Sequence, residues 1–124
     1  MKISKDKPFY PISMAAEILG ISPDRLRGYE EEGLIKPYRV KKVSEKQRGE
    51  KRLFSQDDIE WVGLLRELIQ NGVSIPALKV IIQLLPYWEK SQKPEIKKLV
   101  NDENWVIIKK LVKSPIYQKL IENK

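Results

Sequence analysis

The pattern of apolar, helix-forming residues between capping residues and glycines predicts two short helices near the N-terminus. The first covers ISMAAEILG, residues 12–20, where Ser13 is a suitable N-cap and Gly20 a suitable end point. The second begins at the N-cap Ser22 and ends before Gly33, because glycine readily adopts the left-handed conformation that often follows a helix. Two short helices joined by a tight turn that contains glycine are typical of a helix-turn-helix.

A different pattern follows Pro37. The segment YRVKKVSEKQRGEKRLF, residues 38–54, alternates apolar and basic residues at its start and closes on Leu53 and Phe54. Its middle is polar, and Gly49 is available for a turn. This segment is therefore predicted to form a β-hairpin with a long basic tip.

The segment SQDDIEWVGLLRELIQNG, residues 55–72, is predicted to be the main core helix. Ser55 and Asp58 have the spacing of a capping box, in which each side chain accepts from the backbone N–H of the other residue. Apolar residues then recur with helical periodicity as far as Gly72.

The next segment, SIPALKVIIQLLP, has the N-cap Ser74 and is predicted to end before Pro86. Its apolar residues lie on two sides of the helix, so one packing surface cannot cover all of them. The side predicted to contact a second copy or a partner comprises Val80, Ile81 and Leu84.

The remaining chain predicts three short amphipathic helices, at 95–100, 102–113 and 115–122. Their apolar anchors are further candidates for dimer or partner contacts. These candidates are Trp105, Ile108 and Leu111, with Trp88 preceding the three helices.

Taken in order, the predicted elements form a winged helix-turn-helix in which the hairpin is the wing. We therefore predict a mainly α fold with a small β-hairpin wing. Residues 1–85 are expected to form this domain, and residues 86–124 a short helical C-terminal region for dimerisation, partner or effector contact.

Charge points to a polyanionic partner. The chain of 124 residues has a net charge of +7, and residues 36–52 hold eight basic and two acidic side chains, a local charge of +6. Such a cluster attracts phosphate backbones, although a solvated basic loop is the alternative explanation.

The absence of cysteine and histidine removes disulfides, thiolate or imidazole metal sites and the catalysis that depends on either residue. No cofactor is expected, and no group of titratable residues has a spacing that indicates an enzyme. Apolar runs are too short for a membrane span and the N-terminus has no signal core, so a cytoplasmic protein is the default expectation.

The segments YPISMAAEILGISPDRLRGYEEEGLIKP and GEKRLFSQDDIEWVGLLRELIQNGVSIPALKVII resemble the DNA-binding domain of the MerR family of bacterial transcription regulators. The specific parts are an LRxYE element followed by GLI and proline, and an RxFS element. Within the family, the first segment is most similar to the heat-shock repressor (HspR) branch, and the GlnR type of nitrogen regulator is the alternative.

This resemblance implies a sequence-specific regulator of promoter DNA, acting as a homodimer on a two-fold operator. It further implies repression of stress or chaperone genes, a DnaK-type chaperone as co-repressor, and association with the nucleoid when DNA is bound. Pro94 and Pro115 interrupt the region where many members have a long dimerisation helix, which leaves the mode of dimerisation open.

The second predicted helix carries its charges against the helix dipole. Arg25 and Arg27 lie near the positive N-terminal end and three glutamates near the negative end, which costs about 0.3–1 kcal/mol per charge. Insertion of the N-terminal half into the major groove would explain both arginines. The alternative is a surface helix in which Arg27 pairs with Glu31.

Further DNA contacts are expected from the aromatic residue of the motif and from the wing. The Tyr29 hydroxyl is expected to bind a phosphate, or else its ring packs between helix and wing. Residues of the wing are expected to contact the backbone or an adjacent minor groove. They are Tyr38, Arg39, Lys41, Lys42, Arg48, Lys51 and Arg52.

The sequence is also compatible with a second class of function, protein interaction. The uncovered apolar side of the helix at 74–86 is also what a protein-interaction adaptor would present, with DNA binding weak or secondary.

Overall fold

A computed structural model describes residues 3–40, 51–91 and 101–122 of the chain. Within these ranges the chain forms six helices and a three-stranded antiparallel sheet in which the third strand lies between the other two. The prediction of a mainly α fold with a hairpin wing is confirmed. The elements are β1 (Tyr10–Pro11), α1 (Ile12–Leu19), α2 (Pro23–Glu31), β2 (Tyr38–Val40), β3 (Lys51–Phe54), α3 (Gln56–Gln70), α4 (Ile75–Ser91), α5 (Asp102–Val112) and α6 (Pro115–Glu122).

The hairpin pairs β2 with β3 in a register that sets Arg39 opposite Arg52. Its predicted basic tip lies outside the described residues. The strand β1 was not predicted, since two residues, one of them a proline, give no alternating pattern. It is held by pairing of Tyr10 with Phe54, next to a 3.1 Å hydrogen bond from the Phe9 N–H to the Phe54 carbonyl.

Strand β1 also explains why the predicted N-cap of α1 is wrong. The cap is Pro11, which has extended backbone angles (φ −60°, ψ 158°), and no side chain caps this helix. The helix begins as soon as the strand ends, so Ser13 already lies within its first turn. The ends of α2 are as predicted: Ser22 Oγ accepts from the Arg25 N–H at 3.1 Å, and Gly33 has φ +76°.

The predicted capping box of α3 is confirmed. The Asp58 N–H donates to Ser55 Oγ at 3.0 Å, and the Ser55 N–H donates to Asp58 Oδ2 at 2.8 Å. Burial raises the pKa of the Asp58 carboxyl above its usual value of 3.8, while both hydrogen bonds with Ser55 oppose that shift.

The predicted end of α4 is wrong, because the helix continues through Pro86 to Ser91. A proline inside a helix removes one backbone hydrogen bond and costs about 3 kcal/mol. Burial of Leu78 and Leu85 on one side of the helix helps to offset this cost. The domain boundary predicted between 85 and 86 therefore falls within a continuous helix.

The core is built around α3 and includes the C-terminal helices. Trp61, at the centre of α3, is fully buried, and α5 and α6 both contact this helix. Ile108 and Leu111 were predicted at a dimer or partner surface. The structure instead buries both in the core of the same chain, where they are 1% and 0% exposed. Helical spacing correctly identified an apolar face, but the neighbour that covers it is α3.

Candidate nucleic-acid interface

The N-terminal half of α2 presents two arginines to solvent. Arg25 is exposed, and its side chain has no partner among the described residues. Arg27 donates from Nη1 to Asp24 Oδ1 at 2.7 Å, and its side chain remains 41% exposed. The Arg27–Glu31 pair considered as an alternative is therefore absent, and both guanidinium groups lie near the surface of the helix.

Tyr29 lies between α2 and the neighbouring helix α3. Its ring is buried, with 3% of the residue exposed. Its hydroxyl accepts a 3.3 Å hydrogen bond from Nη1 of Arg66 on α3. This residue therefore fixes α2 against the core.

Glu30 connects α2 to both strands of the wing. Its Oε2 accepts from Nε and Nη2 of Arg39 at 3.3 and 2.8 Å, and its Oε1 accepts from Nε of Arg52. The two arginines are cross-strand neighbours, and like charges in that position repel each other. Because the carboxylate lies between them, Glu30 compensates this repulsion and joins helix and hairpin.

Of the next two glutamates, Glu31 and Glu32, only Glu32 forms an ion pair within the described residues. Glu32 accepts from Nζ of Lys79 on α4 at 3.1 Å. Glu31 is exposed and has no partner within the described ranges. Two of the three reversed charges at the end of α2 thus have partners, Glu30 with arginines of the wing and Glu32 with a lysine of α4. Sequence reasoning missed this because the partners lie 9, 22 and 47 residues away along the chain.

The predicted wing residues differ strongly in exposure. Tyr38 is 59% exposed and Lys51 is also exposed. The side chain of Arg39 is 42% exposed, whereas that of Arg52 is only 23% exposed. Arg52 is thus the less exposed of the two arginines, and it is paired with Glu30. The other predicted wing contacts, Lys41, Lys42 and Arg48, lie outside the described residues.

The predicted contact face of α4 is largely uncovered. Val80 and Leu84 are 54% and 39% exposed, and Tyr87, which continues the same helical face, is 71% exposed. Ile81 is half-buried, as is Trp105 on α5. The side chain of Trp88 lies outside the described residues.

Other kinds of site are not found in the part of the chain that the structure describes. Residues 3–40, 51–91 and 101–122 contain no group of three or more side chains arranged to hold a metal ion. None of the helices in these ranges is both long enough and apolar enough to cross a membrane.

Comparison with known proteins identifies sequence relatives of this chain. HspR of Streptomyces coelicolor, a heat shock protein, is 34% identical over 84 residues, which cover 67% of this chain and 51% of HspR. The HTH-type transcriptional regulator GlnR of Bacillus anthracis is 24% identical over 109 residues, covering 80% of this chain and 79% of GlnR. An HTH-type transcriptional regulator of Haemophilus influenzae is 36% identical over 70 residues, which cover 56% of this chain and 47% of that protein. The chain thus matches about half the length of HspR.

Residues 10–85 match the family described as MerR HTH family regulatory protein. The match covers both helices of the helix-turn-helix, the wing, α3 and the first part of α4. This confirms the resemblance seen in the LRxYE and RxFS elements, and it agrees with the expectation of a regulator rather than an enzyme. The chain belongs to the MerR family of helix-turn-helix regulatory proteins.

Proposed function

We propose that this chain is a sequence-specific DNA-binding regulator of transcription that reads the major groove with α2 and contacts the flanking backbone with the wing. The observation that carries the proposal is the exposure of Arg25 and Arg27 on a helix that Tyr29 and Glu30 hold to α3 and to the wing. Arginine on a positioned helix is the commonest donor to guanine in the major groove. Membership of a DNA-binding family supports the same assignment.

Phosphate contacts are assigned to the exposed cations of the wing. Lys51 and Arg39 lie on neighbouring strands, and the sequence between these strands contributes the further cations Lys41, Lys42 and Arg48. Such contacts set register and affinity but read no bases. We expect Lys42→Ala to reduce the salt dependence of binding without altering the preferred sequence.

We further propose a homodimer on a two-fold operator. The support is the uncovered apolar face of α4 at Val80, Leu84 and Tyr87. Two-fold dimers are the commonest oligomers and match the symmetry of inverted repeats in DNA. The cytoplasm, and the nucleoid when DNA is bound, is the corresponding location.

The physiological proposal is repression of stress or chaperone genes, with a DnaK-type chaperone as co-regulator. Its support is the similarity to HspR, which is named a heat shock protein. Because the chain is also similar to GlnR, the target genes, and whether they are activated or repressed, should be tested directly.

The decisive experiment is selection of bound fragments from host genomic DNA at near-physiological salt, followed by sequencing. Enrichment of a few sites that share an inverted repeat supports the proposal, and the adjacent genes identify the regulated process. Arg25→Ala/Arg27→Ala is the matched loss-of-contact variant, and it should recover no shared motif. Uniform recovery by the wild-type chain would contradict sequence-specific regulation.

The second candidate function is a protein-interaction adaptor. The same exposed residues of α4 favour it, since they would bind a different protein instead of a second copy. Mass in solution separates the two functions: a monomer that selects no DNA motif, yet loses a co-purifying protein on Leu84→Asp, would favour the adaptor.

A further inference from the structure

Three side chains from three elements meet between α2 and the wing. Glu30 comes from the last turn of α2, Arg39 from β2 and Arg52 from β3. The carboxylate is 12% exposed, whereas the side chains of Arg52 and Arg39 are 23% and 42% exposed. The cluster therefore has a covered side at Glu30 and Arg52 and an open side at Arg39.

The charge of this cluster matters for any polyanion that approaches the wing. Two arginines and one glutamate sum to +1, so the carboxylate cancels half of the positive charge of the two arginines. A glutamate at this position lowers the general attraction for phosphate. In return, it fixes the direction of a guanidinium group, since arginine donates in a rigid planar geometry.

We propose that Glu30 is a positioning residue for DNA recognition, which orients Arg39 toward the phosphate backbone and fixes the wing to the recognition helix through Arg52. This inference rests on the proposed function. The wing and α2 then meet DNA as one rigid unit, and the carboxylate reduces binding to unrelated sequences. Arg52, expected from the sequence to contact DNA, serves instead as the inner anchor of the wing.

Glu30→Gln tests the proposal, and Glu31→Gln is the matched control. The control removes the same charge one residue away, from a side chain with no partner among the described residues. Binding is measured on a duplex selected from genomic DNA and on a scrambled duplex of equal length, each over a series of salt concentrations. Thermal unfolding of each variant is followed in parallel.

For Glu30→Gln we expect tighter binding to the scrambled duplex and a salt dependence steeper by about 0.9 in the log–log slope, as for one additional phosphate contact. The ratio of specific to non-specific affinity should fall about 10-fold. Glu31→Gln should leave the ratio unchanged. Adding Arg39→Gln to Glu30→Gln should return the slope on the scrambled duplex to the wild-type value.

A structural role alone predicts a different result. Loss of packing would weaken binding to both duplexes alike and would lower the melting temperature without changing the slope. Equal slopes and equal affinity ratios for Glu30→Gln and Glu31→Gln would overturn the inference.

One further variant and the behaviour of the wild-type chain separate the remaining outcomes. If Glu30→Gln does not fold, Arg39→Gln alone should flatten the slope by about 0.9 at an unchanged melting temperature, and no change in slope would overturn the inference. A wild-type chain that prefers no duplex would overturn the proposed function, and the inference with it. A wild-type chain that discriminates, beside a Glu30→Gln variant that behaves like its control, would overturn the inference alone.

Discussion

The indole Nε1 of Trp61, on α3, donates a 2.7 Å hydrogen bond to the backbone carbonyl of Leu34, just after α2. Trp61 is 0% and Leu34 1% exposed, so no water replaces this bond if it is lost. The pair fixes the connection between α2 and the wing to the centre of the core.

Replacing Trp61 by phenylalanine should therefore be strongly destabilising. The change leaves a buried carbonyl without its donor and opens a cavity, which together cost about 2–4 kcal/mol. Urea unfolding followed by circular dichroism measures the effect. A loss below about 1 kcal/mol would show that the surrounding residues rearrange to satisfy the carbonyl.

Arg27→Ala should weaken binding to the operator by about 1–3 kcal/mol and relax base preference at one position of each half-site. Binding to a scrambled duplex should change much less, because only the operator offers the correct base edge. Lys109→Ala is the control, since it removes an exposed positive charge from α5, outside the proposed DNA surface. Equal effects of both variants would contradict a base contact by Arg27.

The ion pairs of Glu30 and Glu32, at the end of α2, should differ in strength. The Glu32–Lys79 pair is exposed on both sides, at 47% and 44%, so a double-mutant cycle should give a coupling energy of about 0.2–1 kcal/mol. The Glu30–Arg52 pair is much less exposed and should show a larger coupling energy in unfolding measurements. A smaller coupling for Glu30–Arg52 would mean that desolvation cancels the attraction.

Asp58 should increase the free energy of unfolding on mild acidification, which is opposite to the effect of a carboxylate whose pKa is lowered by folding. Burial raises its pKa above 3.8, so on acidification the folded state takes up the proton before the unfolded state does. Between the raised pKa and 3.8, this residue therefore adds to the free energy of unfolding as the pH falls.

Asp58→Asn isolates this contribution, because the amide oxygen can still accept from the Ser55 N–H without a charge. From pH 7 to about pH 4, the wild-type chain should gain stability relative to this variant in urea unfolding. A relative loss would show that the hydrogen bonds with Ser55 outweigh burial.

The exposed face of α4 predicts the oligomeric state. Val80→Asp/Leu84→Asp should convert a dimer to a monomer in sedimentation experiments while the melting temperature of the monomeric fold is retained. Gln83→Asp places the same charge on another exposed position of α4 and should leave the dimer intact. If the mass does not change, this face does not form the dimer.

Local features of the fold were predictable because they are decided within a few residues. The caps at Ser22, Ser55 and Ser74 depend on an N–H three residues away, and all three hydrogen bonds are present. The hairpin strands follow likewise from their alternation of residue types.

Features that depend on distant neighbours were not predictable. The burial of Ile108 depends on the packing of α5 on α3, and the roles of Glu30 depend on the register of two strands. The continuation of α4 through Pro86 depends on packing that can offset a local cost. A periodic pattern shows which face is apolar, but it does not show what covers that face.

The sharing of one core by α3, α5 and α6 has a practical consequence for chimeric regulators. Ending the chain at residue 85 would uncover apolar surface that Ile108, Leu111 and Tyr117 now cover. Residues 10–85 are therefore a poor module to transplant alone. The exchangeable unit is the outer surface of α2 and of the β2–β3 hairpin, grafted side chain by side chain onto an otherwise intact protein.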